Sequence, residues 1–361
     1  MQVHAENPAA CRVARLLLAA AFISLCPGCA GVQYLAQSVS GQMEVLAHRR
    51  PISEVLDDPA TPESVKRSLH AVQEIVAFAH ENLLLPDNGS YRSYADLGRP
   101  HVAWNVFAAP ALSLEPLRWC FPVAGCLSYR GYFDRAEAES FATRLRTQGH
   151  DVHVAPVAGY STLGWFRDPV LHSMLRRSEP ELARLLFHEL AHQKLYLGGD
   201  TELNEAFADA VALIGVERWQ RRFPDRVEQR FRRELEVETA FVELVLAYRE
   251  LLRGTYDSTA ADAVKHVRKR ALFEALRTDY AMMKRRLTDP GTYDEWFDDG
   301  PNNARMAAMS TYRELVPLFI NVYRSTDSNI ELFYAQIHSL EPCDRNARVH
   351  LLRQALLPAD C

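Results

Sequence analysis

A helix predicted between residues 178 and 193 is the feature that most constrains the fold, because the sequence marks both of its ends. Ser178 and Glu181 have the spacing of a capping box, and Pro180 suits the first turn of a helix. Gly198-Gly199 follows as a stop signal. Apolar side chains fill most of this helix, so the three polar residues near its centre need a functional reason.

Those three polar residues are His188, Glu189 and His192. The histidines lie four positions apart, so one face of the helix presents both imidazoles to a single point. Zinc accepts neutral imidazole nitrogens at about 2.0–2.1 Å. Glu189 lies on the adjoining face, where it can act as a general base without ligating the metal. Two ordinary surface or core histidines on a helix are the alternative interpretation.

A second helix, predicted to begin near Thr201, carries Asn204, Glu205 and Asp209. A Gly-Gly turn separates the two helices, so a helical hairpin can bring the Glu205 carboxylate to the two histidines. Two histidines, one glutamate and a fourth position open to water form a catalytic zinc set. Asp209 lies one turn beyond Glu205 and can accept the second ring N–H of a histidine ligand. Asn204 is a second candidate for such a supporting role.

The rest of the sequence predicts an α+β fold, in which a small mixed α/β region packs on a mainly helical region. Apolar residues follow helical spacing through residues 52–84, and short β-favouring runs alternate with Pro and Gly between residues 101 and 133. Asp134 caps a helix, and residues 151–157 alternate like a strand. Beyond residue 178 the chain is nearly all helix.

We predict a signal peptide over residues 1–28 and a single folded unit over residues 29–361. Within that unit, residues 90–175 form the mixed part and residues 176–361 form the helical part with the zinc site. No Pro/Ser-rich linker separates the two parts.

The N-terminal residues are typical of an export signal. Arg12 and Arg15 precede the apolar run 16–25, which is shorter than the roughly 20 residues needed to cross a bilayer. Small residues beside Cys29 resemble a bacterial lipobox, which predicts a lipid on the Cys29 sulfur and anchorage without a transmembrane helix. Ala30 resembles an outer-membrane signal, so we expect a periplasm-facing envelope protein. A plain cleaved signal and a buried N-terminal helix are the alternatives.

Export also affects the expected state of the cysteines, since disulfides persist in oxidising compartments. Four remain after processing and lipidation, namely Cys120, Cys126, Cys343 and Cys361. Local pairs within 120–126 and 343–361 are one of three arrangements, and four free thiols are the alternative. The chain has 41 Lys+Arg against 46 Asp+Glu, a net charge of −5, so no nucleic-acid partner is expected.

The combined motif His188-Glu189-x-x-His192 and Asn204-Glu205-x-x-x-Asp209 resembles that of the gluzincin metallopeptidases. The resemblance implies that Glu205 is the third zinc ligand and that Asp209 supports a ligand histidine. The link between the two helices is shorter here than in thermolysin-like enzymes. The resemblance therefore predicts the ligand set but not the size of the cleft between the helices.

Nearly the whole mature chain also resembles a family of bacterial aminopeptidase lipoproteins. Besides the two zinc-helix motifs, the matching stretches are residues 29–52, Tyr129-Arg130-Gly131-Tyr132-Phe133, residues 160–169, and Asn302-Asn303-Ala304 with Tyr312. This resemblance implies a peptidase that uses one zinc ion, with a peptide as substrate and the membrane as a partner through the lipid anchor.

The gluzincin resemblance suggests further site residues. A downstream Tyr or His often stabilises the oxyanion, which makes Tyr312 a candidate donor and Asn303 a candidate to position it or the substrate. Tyr160, Ser161 and Thr162 precede the zinc helix, where gluzincins bind peptide by strand addition. An ordinary structural role is the alternative for each. Asp168 and Glu202 are candidates to bind the free amine of an aminopeptidase substrate.

Two other functions remain open from the sequence. The first is a zinc endopeptidase acting on envelope proteins, and the second is a non-catalytic envelope lipoprotein that holds zinc for structure or partner binding. Glu189 argues against the second, because a structural zinc site has no use for a base at that position.

Overall fold

The computed structural model describes residues 29–121, 125–162, 166–226, 229–298, 300–313 and 315–354. The predicted signal peptide therefore lies outside the described residues. The helices are α1 Cys29–Ala47, α2 Ile52–Asp57, α3 Glu63–Leu83, α4 Arg135–Thr147, α5 Glu179–Lys194, α6 Thr201–Arg222, α7 Gln229–Asp257, α8 Asp262–Leu287, α9 Glu295–Asp298, α10 Asn303–Arg313, α11 Val316–Ser325, α12 Ile330–His338 and α13 Arg345–Gln354. The strands are β1 Arg49–Pro51, β2 Ser93–Ala95, β3 Ala103–Pro110, β4 Trp119–Phe121, β5 Gly125–Leu127, β6 Arg130–Tyr132, β7 His150–Val157 and β8 Val170–Leu171.

The helical pattern of residues 52–84 forms two helices, α2 and α3, with a short break between them. Pro59 and Pro62 lie between them. Proline has no backbone N–H and its ring clashes with the preceding turn, so a helix cannot run through both positions. Helix α3 then buries one face, which includes Leu69, Val72 and Ile75.

A three-stranded antiparallel sheet forms the centre of the mixed part. Strand β3 is its middle strand, with Val106 opposite Arg130 of β6 and opposite Val154 of β7. The predicted helix α4 begins after Asp134, whose carboxylate accepts a hydrogen bond from the Glu137 amide at 2.9 Å. Helix α4 covers one face of the sheet and closes a small apolar cluster. Two further small sheets have the orders β1-β2-β8 and β4-β5.

Helices α5 and α6 pack against each other in the main hydrophobic core. The rings of Phe187 on α5 and Trp219 on α6 both contact Phe78 of α3, with centroids 5.8 and 5.0 Å away. Helices α7 and α8 form a second apolar cluster around Phe241 and Tyr280. Helices α5 and α6, which carry the predicted ligands, are therefore packed against other elements on several sides.

The α+β, mainly helical fold class predicted from the sequence is confirmed. The proposed division of the chain into parts stays a prediction. Within the described ranges, no helix is long and apolar enough to span a membrane. A disulfide joins Cys120 and Cys126 across the β4–β5 hairpin, which is one of the predicted local pairings. Cys343 is also disulfide-bonded, and Cys361, its predicted partner, lies outside the described residues.

Candidate metal centre

The start of α5 has the capping interactions that the sequence predicts. The Glu181 carboxylate accepts hydrogen bonds from the Ser178 backbone N–H at 2.8 Å and from the Ser178 hydroxyl at 2.6 Å. These bonds fix where the helix begins and therefore which face it turns toward α6.

The turn between α5 and α6 is held by its own side chains. The Asn204 side-chain oxygen accepts a hydrogen bond from the Leu197 amide at 2.7 Å, and its NH2 group donates to the Leu197 carbonyl at 2.8 Å. Asp200 caps α6 and forms an ion pair with Arg345, which also pairs with Glu202. Asn204 thus fixes the geometry of the turn, and the carboxylate of Glu202 is already engaged by an arginine.

His188, His192 and Glu205 converge on one point, as predicted. The Nε2 atoms of the two histidines are 3.1 Å apart. Oε2 of Glu205 lies 3.3 Å from Nε2 of His188 and 3.6 Å from Nε2 of His192. All three side chains are largely shielded from solvent.

These separations fit a single tetrahedrally bound ion. Bonds of about 2.0–2.1 Å at tetrahedral angles place neighbouring ligand atoms about 3.3 Å apart, close to the three observed distances. Two imidazole nitrogens and one carboxylate oxygen are donors that zinc accepts readily. The three residues can therefore hold a metal ion and leave its fourth position open.

Asp209 stands behind His188. Its Oδ1 atom lies 3.1 Å from Nδ1 of His188, so the Nδ1–H donates to the carboxylate and Nε2 is left to face the metal position. Nδ1 of His192 is buried and has no hydrogen-bond partner among the described residues. His188 therefore has a hydrogen-bond partner for its second ring nitrogen, whereas His192 has none among the described residues.

The electrostatics of the cluster favour positive charge at its centre. Burial disfavours the charged form of His188, but hydrogen bonds and charges from Asp209 and Glu205 outweigh it and raise its pKa well above the ordinary value. Burial similarly acts to raise the pKa of Glu205, yet the two neighbouring imidazoles lower it to about 2. The cluster therefore keeps its carboxylate ionised at neutral pH, as a cation site requires.

Glu189 is buried beside the ligands, and nothing in the described part of the chain donates a hydrogen bond to its carboxylate. Burial raises its pKa, opposed in part by His188 and His192 and assisted by Glu205 and Asp168. A carboxylate with a raised pKa and no fixed partner is suited to accept and release a proton during a reaction.

Glu189 and His188 open onto a cavity of about 840 Å³. Its walls come from α5, the start of α7 and the segment after α8, and they combine apolar side chains with several arginines and carboxylates. Arg177 lies near Glu189 in this cavity, and burial lowers its pKa although Glu181 and Glu189 act to raise it. The volume falls in the range of small-ligand sites.

The predicted substrate segment lies beside the end of α5 but does not form a strand. The Asp168 carboxylate accepts hydrogen bonds from the backbone N–H and hydroxyl of Thr162, from the Ser161 hydroxyl and from Gln193, the residue after His192. Tyr160 donates its hydroxyl to Gln42 at 2.6 Å. Strand β7 ends at Val157, so the expected edge strand at residues 160–162 is absent from the described segment. Asp168 holds this loop together and has little capacity left for a substrate amine.

Asn303 lies in a buried network outside the ligand cluster. Its side chain accepts from the Tyr256 hydroxyl at 2.7 Å and donates to the carbonyls of Pro110 and Ala111 at 3.0 Å. These contacts give it a structural role, and its contact with substrate stays a prediction. The backbone of Tyr312 is in α10, and its side chain lies outside the described atoms. Cys29 is the first residue of α1, and its side chain is likewise outside them.

Two tyrosines that the sequence does not predict as site residues, Tyr129 and Tyr196, are affected by the charges of the ligand cluster. Burial raises the pKa of Tyr129, and the charges of Glu205 and Glu189 raise it further, so its phenol lies within electrostatic range of both carboxylates. Burial and Glu205 also raise the pKa of Tyr196. Tyr129 belongs to the Tyr-Arg-Gly-Tyr-Phe stretch found in the sequence, but no local pattern connects residue 129 with residue 205.

The β4–β5 hairpin contacts the turn that joins α5 to α6. Arg118 donates a hydrogen bond to the Gly199 carbonyl at 2.6 Å. Gly125 has a φ of +74°, and a Cβ atom there would lie 2.7 Å from the Gly199 nitrogen. Only glycine tolerates both the positive φ and this close backbone contact.

We expect Gly125→Ala to destabilise the protein more than Gly98→Ala. Both positions have positive φ, which costs about 1–2 kcal/mol for an L-residue. No atom lies within 4 Å of a Cβ at Gly98, whereas crowding at Gly125 adds about 1–3 kcal/mol. Denaturant unfolding of the two variants measures the difference. If Gly125→Ala and Gly98→Ala lost equal unfolding free energy, a Cβ atom at residue 125 would not clash with the Gly199 backbone.

The fold and this cluster define a mainly helical protein with a buried group able to bind a metal ion. A family described as "putative aminopeptidase" matches residues 33–352, which is most of the chain, and the protein belongs to that family. Membership supports peptidase activity. No protein of curated function and no solved structure shows significant similarity to the chain.

Proposed function

We propose that the protein is a zinc-dependent peptidase of the gluzincin type, acting as an aminopeptidase in the cell envelope. The observation that carries the proposal is the convergence of His188, His192 and Glu205 at separations that suit one tetrahedral ion. The arrangement of ligands on two consecutive helices supports the gluzincin assignment. The family description supports the peptidase and aminopeptidase assignments.

The three ligand residues would hold the ion, which when bound would supply a Lewis acid to polarise a peptide carbonyl. Asp209 orients the His188 ring and keeps the proton on Nδ1. The ionised Glu205 completes the ligand set and balances part of the charge of the ion.

Glu189 is proposed as the general base and general acid. Its carboxylate takes a proton from the attacking water and later gives that proton to the leaving amine. Its burial, raised pKa and lack of a hydrogen-bond donor within the described chain all support this role. Because Glu189 lines the cavity with His188, a peptide in that cavity would lie beside it.

We also propose that the protein is exported and anchored by a lipid on Cys29, facing the periplasm from the outer membrane. The charged and apolar pattern of residues 12–25 and the small residues around Cys29 support this. The Cys120–Cys126 disulfide is the kind of bond that persists in such an oxidising compartment.

Metal removal combined with a blocked substrate tests the proposed function. We expect the purified protein to release the first residue of an unmodified peptide, to lose this activity after treatment with a zinc chelator, and to regain it when zinc is restored. An N-acetylated copy of the same peptide should resist cleavage, because an aminopeptidase needs the free amine.

Mass spectrometry of the products distinguishes the alternatives. Internal cleavage of both peptides would identify an endopeptidase. Zinc bound in a one-to-one ratio without cleavage of either peptide would identify a non-catalytic zinc protein. Activity that survives complete metal removal would contradict the metallopeptidase assignment itself.

A further inference from the structure

The cavity at the metal centre contains an arginine whose backbone is fixed beside the start of α5. Arg177 follows a short 3₁₀ helix, His172–Arg176, and directly precedes Ser178, the capping residue of α5. Its backbone N–H donates to the carbonyl of Met174, which is fully buried, at 3.4 Å. The contacts that begin α5 therefore also set the position of Arg177.

The Arg177 side chain is half-buried and lines the cavity together with His188 and Glu189. Its guanidinium is planar, carries five N–H donors and stays charged at any working pH. Within the described part of the chain, it forms one long hydrogen bond, of 3.4 Å to the Ser173 carbonyl, and no ion pair. Most of its donors are therefore available to a molecule in the cavity.

Most of the other charged groups that line the cavity are engaged by the protein itself. The engaged pairs are Arg184 with Glu238, Arg230 with Glu234, His188 with Asp209, Ser178 with Glu181, and Thr292 with Asp289. Glu189 and Arg233 are the exceptions besides Arg177, and Arg233 is exposed to solvent. Among the described residues of the cavity wall, Arg177 is thus the one partly enclosed cation without a carboxylate partner.

A cation in this position is suited to an anionic ligand. Burial acts to lower the pKa of Arg177, and the charges of Glu181 and Glu189 oppose that effect without forming an ion pair with it. Withdrawing a guanidinium from water costs free energy unless an anion compensates. A carboxylate can accept two parallel hydrogen bonds from it, because the two groups match in shape and charge. Carboxylates are the anionic groups of an unmodified peptide, and a cavity of about 840 Å³ has room for a short one.

We propose that Arg177 binds a carboxylate of the peptide substrate and makes the protein selective for peptides that carry one next to the scissile bond. This role rests on the proposed peptidase function, since Glu189 would act on the bond in the same cavity. The carboxylate has two possible sources, an Asp or Glu side chain beside the scissile bond and the C-terminal carboxylate of a dipeptide. Arg177 moves no proton, so the role of Glu189 is unchanged.

Three matched pairs of peptides test this selectivity on the full chain, purified with zinc bound. In each pair an uncharged amide replaces one carboxylate. The pairs are Ala-Ala against Ala-Ala amide, Glu-Ala amide against Gln-Ala amide, and Ala-Glu amide against Ala-Gln amide. For one pair we expect kcat/KM to be about 10–100-fold higher for the carboxylate member, the usual range for hydrogen bonds to a charged group. That pair identifies the source of the carboxylate.

Variants of Arg177 assign the selectivity to this side chain. Arg177→Gln should bring the ratio of the two kcat/KM values to about one, while kcat/KM for the uncharged peptide changes by less than about threefold. Arg177→Lys keeps the charge but not the two-pronged geometry, so it should retain part of the ratio. Arg146→Gln is the matched control, because it makes the same change on an exposed arginine of α4 that pairs with Glu139. The zinc content and unfolding midpoint of all three variants should match those of the parent.

A binding measurement gives a second readout that needs no turnover. A peptide in which a methylene group replaces the scissile carbonyl cannot be hydrolysed. Calorimetry with the carboxylate and amide versions of this peptide should show tighter binding of the carboxylate version to the parent. The two versions should bind equally to Arg177→Gln, since only the carboxylate contact is lost.

The outcomes separate this role from the proposed function. A parent that cleaves peptides but treats both members of every pair alike overturns the role of Arg177 alone. An Arg177→Gln variant that keeps the parent's ratio, or that loses activity equally on both members of a pair, also overturns it. A parent that binds the uncleavable carboxylate peptide through Arg177 but cleaves no peptide contradicts the proposed function, and a parent that neither cleaves nor discriminates contradicts both.

Discussion

Glu189→Gln is expected to lower kcat for peptide hydrolysis by roughly 10²–10⁴ while the metal stays bound. Glutamine has the same shape as glutamate but cannot take a proton from water at neutral pH. Glu189 is not one of the three converging ligands, so its replacement leaves that set intact. Steady-state kinetics and metal analysis on the same preparation measure the two effects.

The control for this variant is Glu217→Gln, which makes the same chemical change on the exposed end of α6. Glu217 pairs with Arg221 four residues later and lies far along the helix from Glu205. Its kcat and zinc content should equal those of the parent. If Glu189→Gln hydrolyses peptide as fast as this control does, another group must move the proton.

The helical hairpin at the metal centre was predictable because its signals are local. The capping residues Ser178 and Glu181, the four-residue spacing of His188 and His192, and the Gly-Gly turn all act over a few residues of sequence. Such short-range patterns determine where a helix begins and which side chains share a face. Once two consecutive helices are joined by a short turn, few arrangements remain for the third ligand.

The break between α2 and α3 shows the limit of periodicity as a guide. Apolar residues continue at helical spacing through residues 52–84, yet Pro59 and Pro62 remove backbone donors that a continuous helix needs. The hydrophobic pattern indicates which face is buried. The missing N–H groups of the two prolines determine where the helix is interrupted.

The parts of the site supplied by other segments could not be predicted in this way. Tyr129 lies within electrostatic range of Glu205, although the two residues are far apart in the sequence, and no local pattern records such a long-range relation. The side chain of Asn303 forms buried hydrogen bonds that the motif did not predict, and its proposed role in positioning Tyr312 or the substrate stays a prediction. Residue type alone does not distinguish a polar group that serves the fold from one that serves a ligand.

Replacing Glu205 with alanine is expected to cause the largest loss of zinc affinity among single changes outside the two histidines. It removes one of three ligand atoms, together with the negative charge that the two imidazoles hold ionised. Asp209→Asn removes only the carboxylate behind His188 and should weaken zinc binding by about 10–100-fold, the usual effect of a supporting partner. Glu205→Ala should exceed that loss, and competition with a chromophoric chelator measures both.

Thermal unfolding provides a check on this series that does not depend on turnover. Zinc that binds only the folded chain stabilises the parent by about 2.7 kcal/mol at a free concentration 100 times its Kd. The same concentration should raise the unfolding midpoint of Asp209→Asn less and leave that of Glu205→Ala nearly unchanged, whereas Glu217→Ala should respond like the parent. If zinc stabilised the Glu205→Ala protein as strongly as the parent, the ion would have to bind elsewhere. The two imidazoles, whose Nε2 atoms are 3.1 Å apart, cannot hold it alone without loss of affinity once the carboxylate ligand is removed.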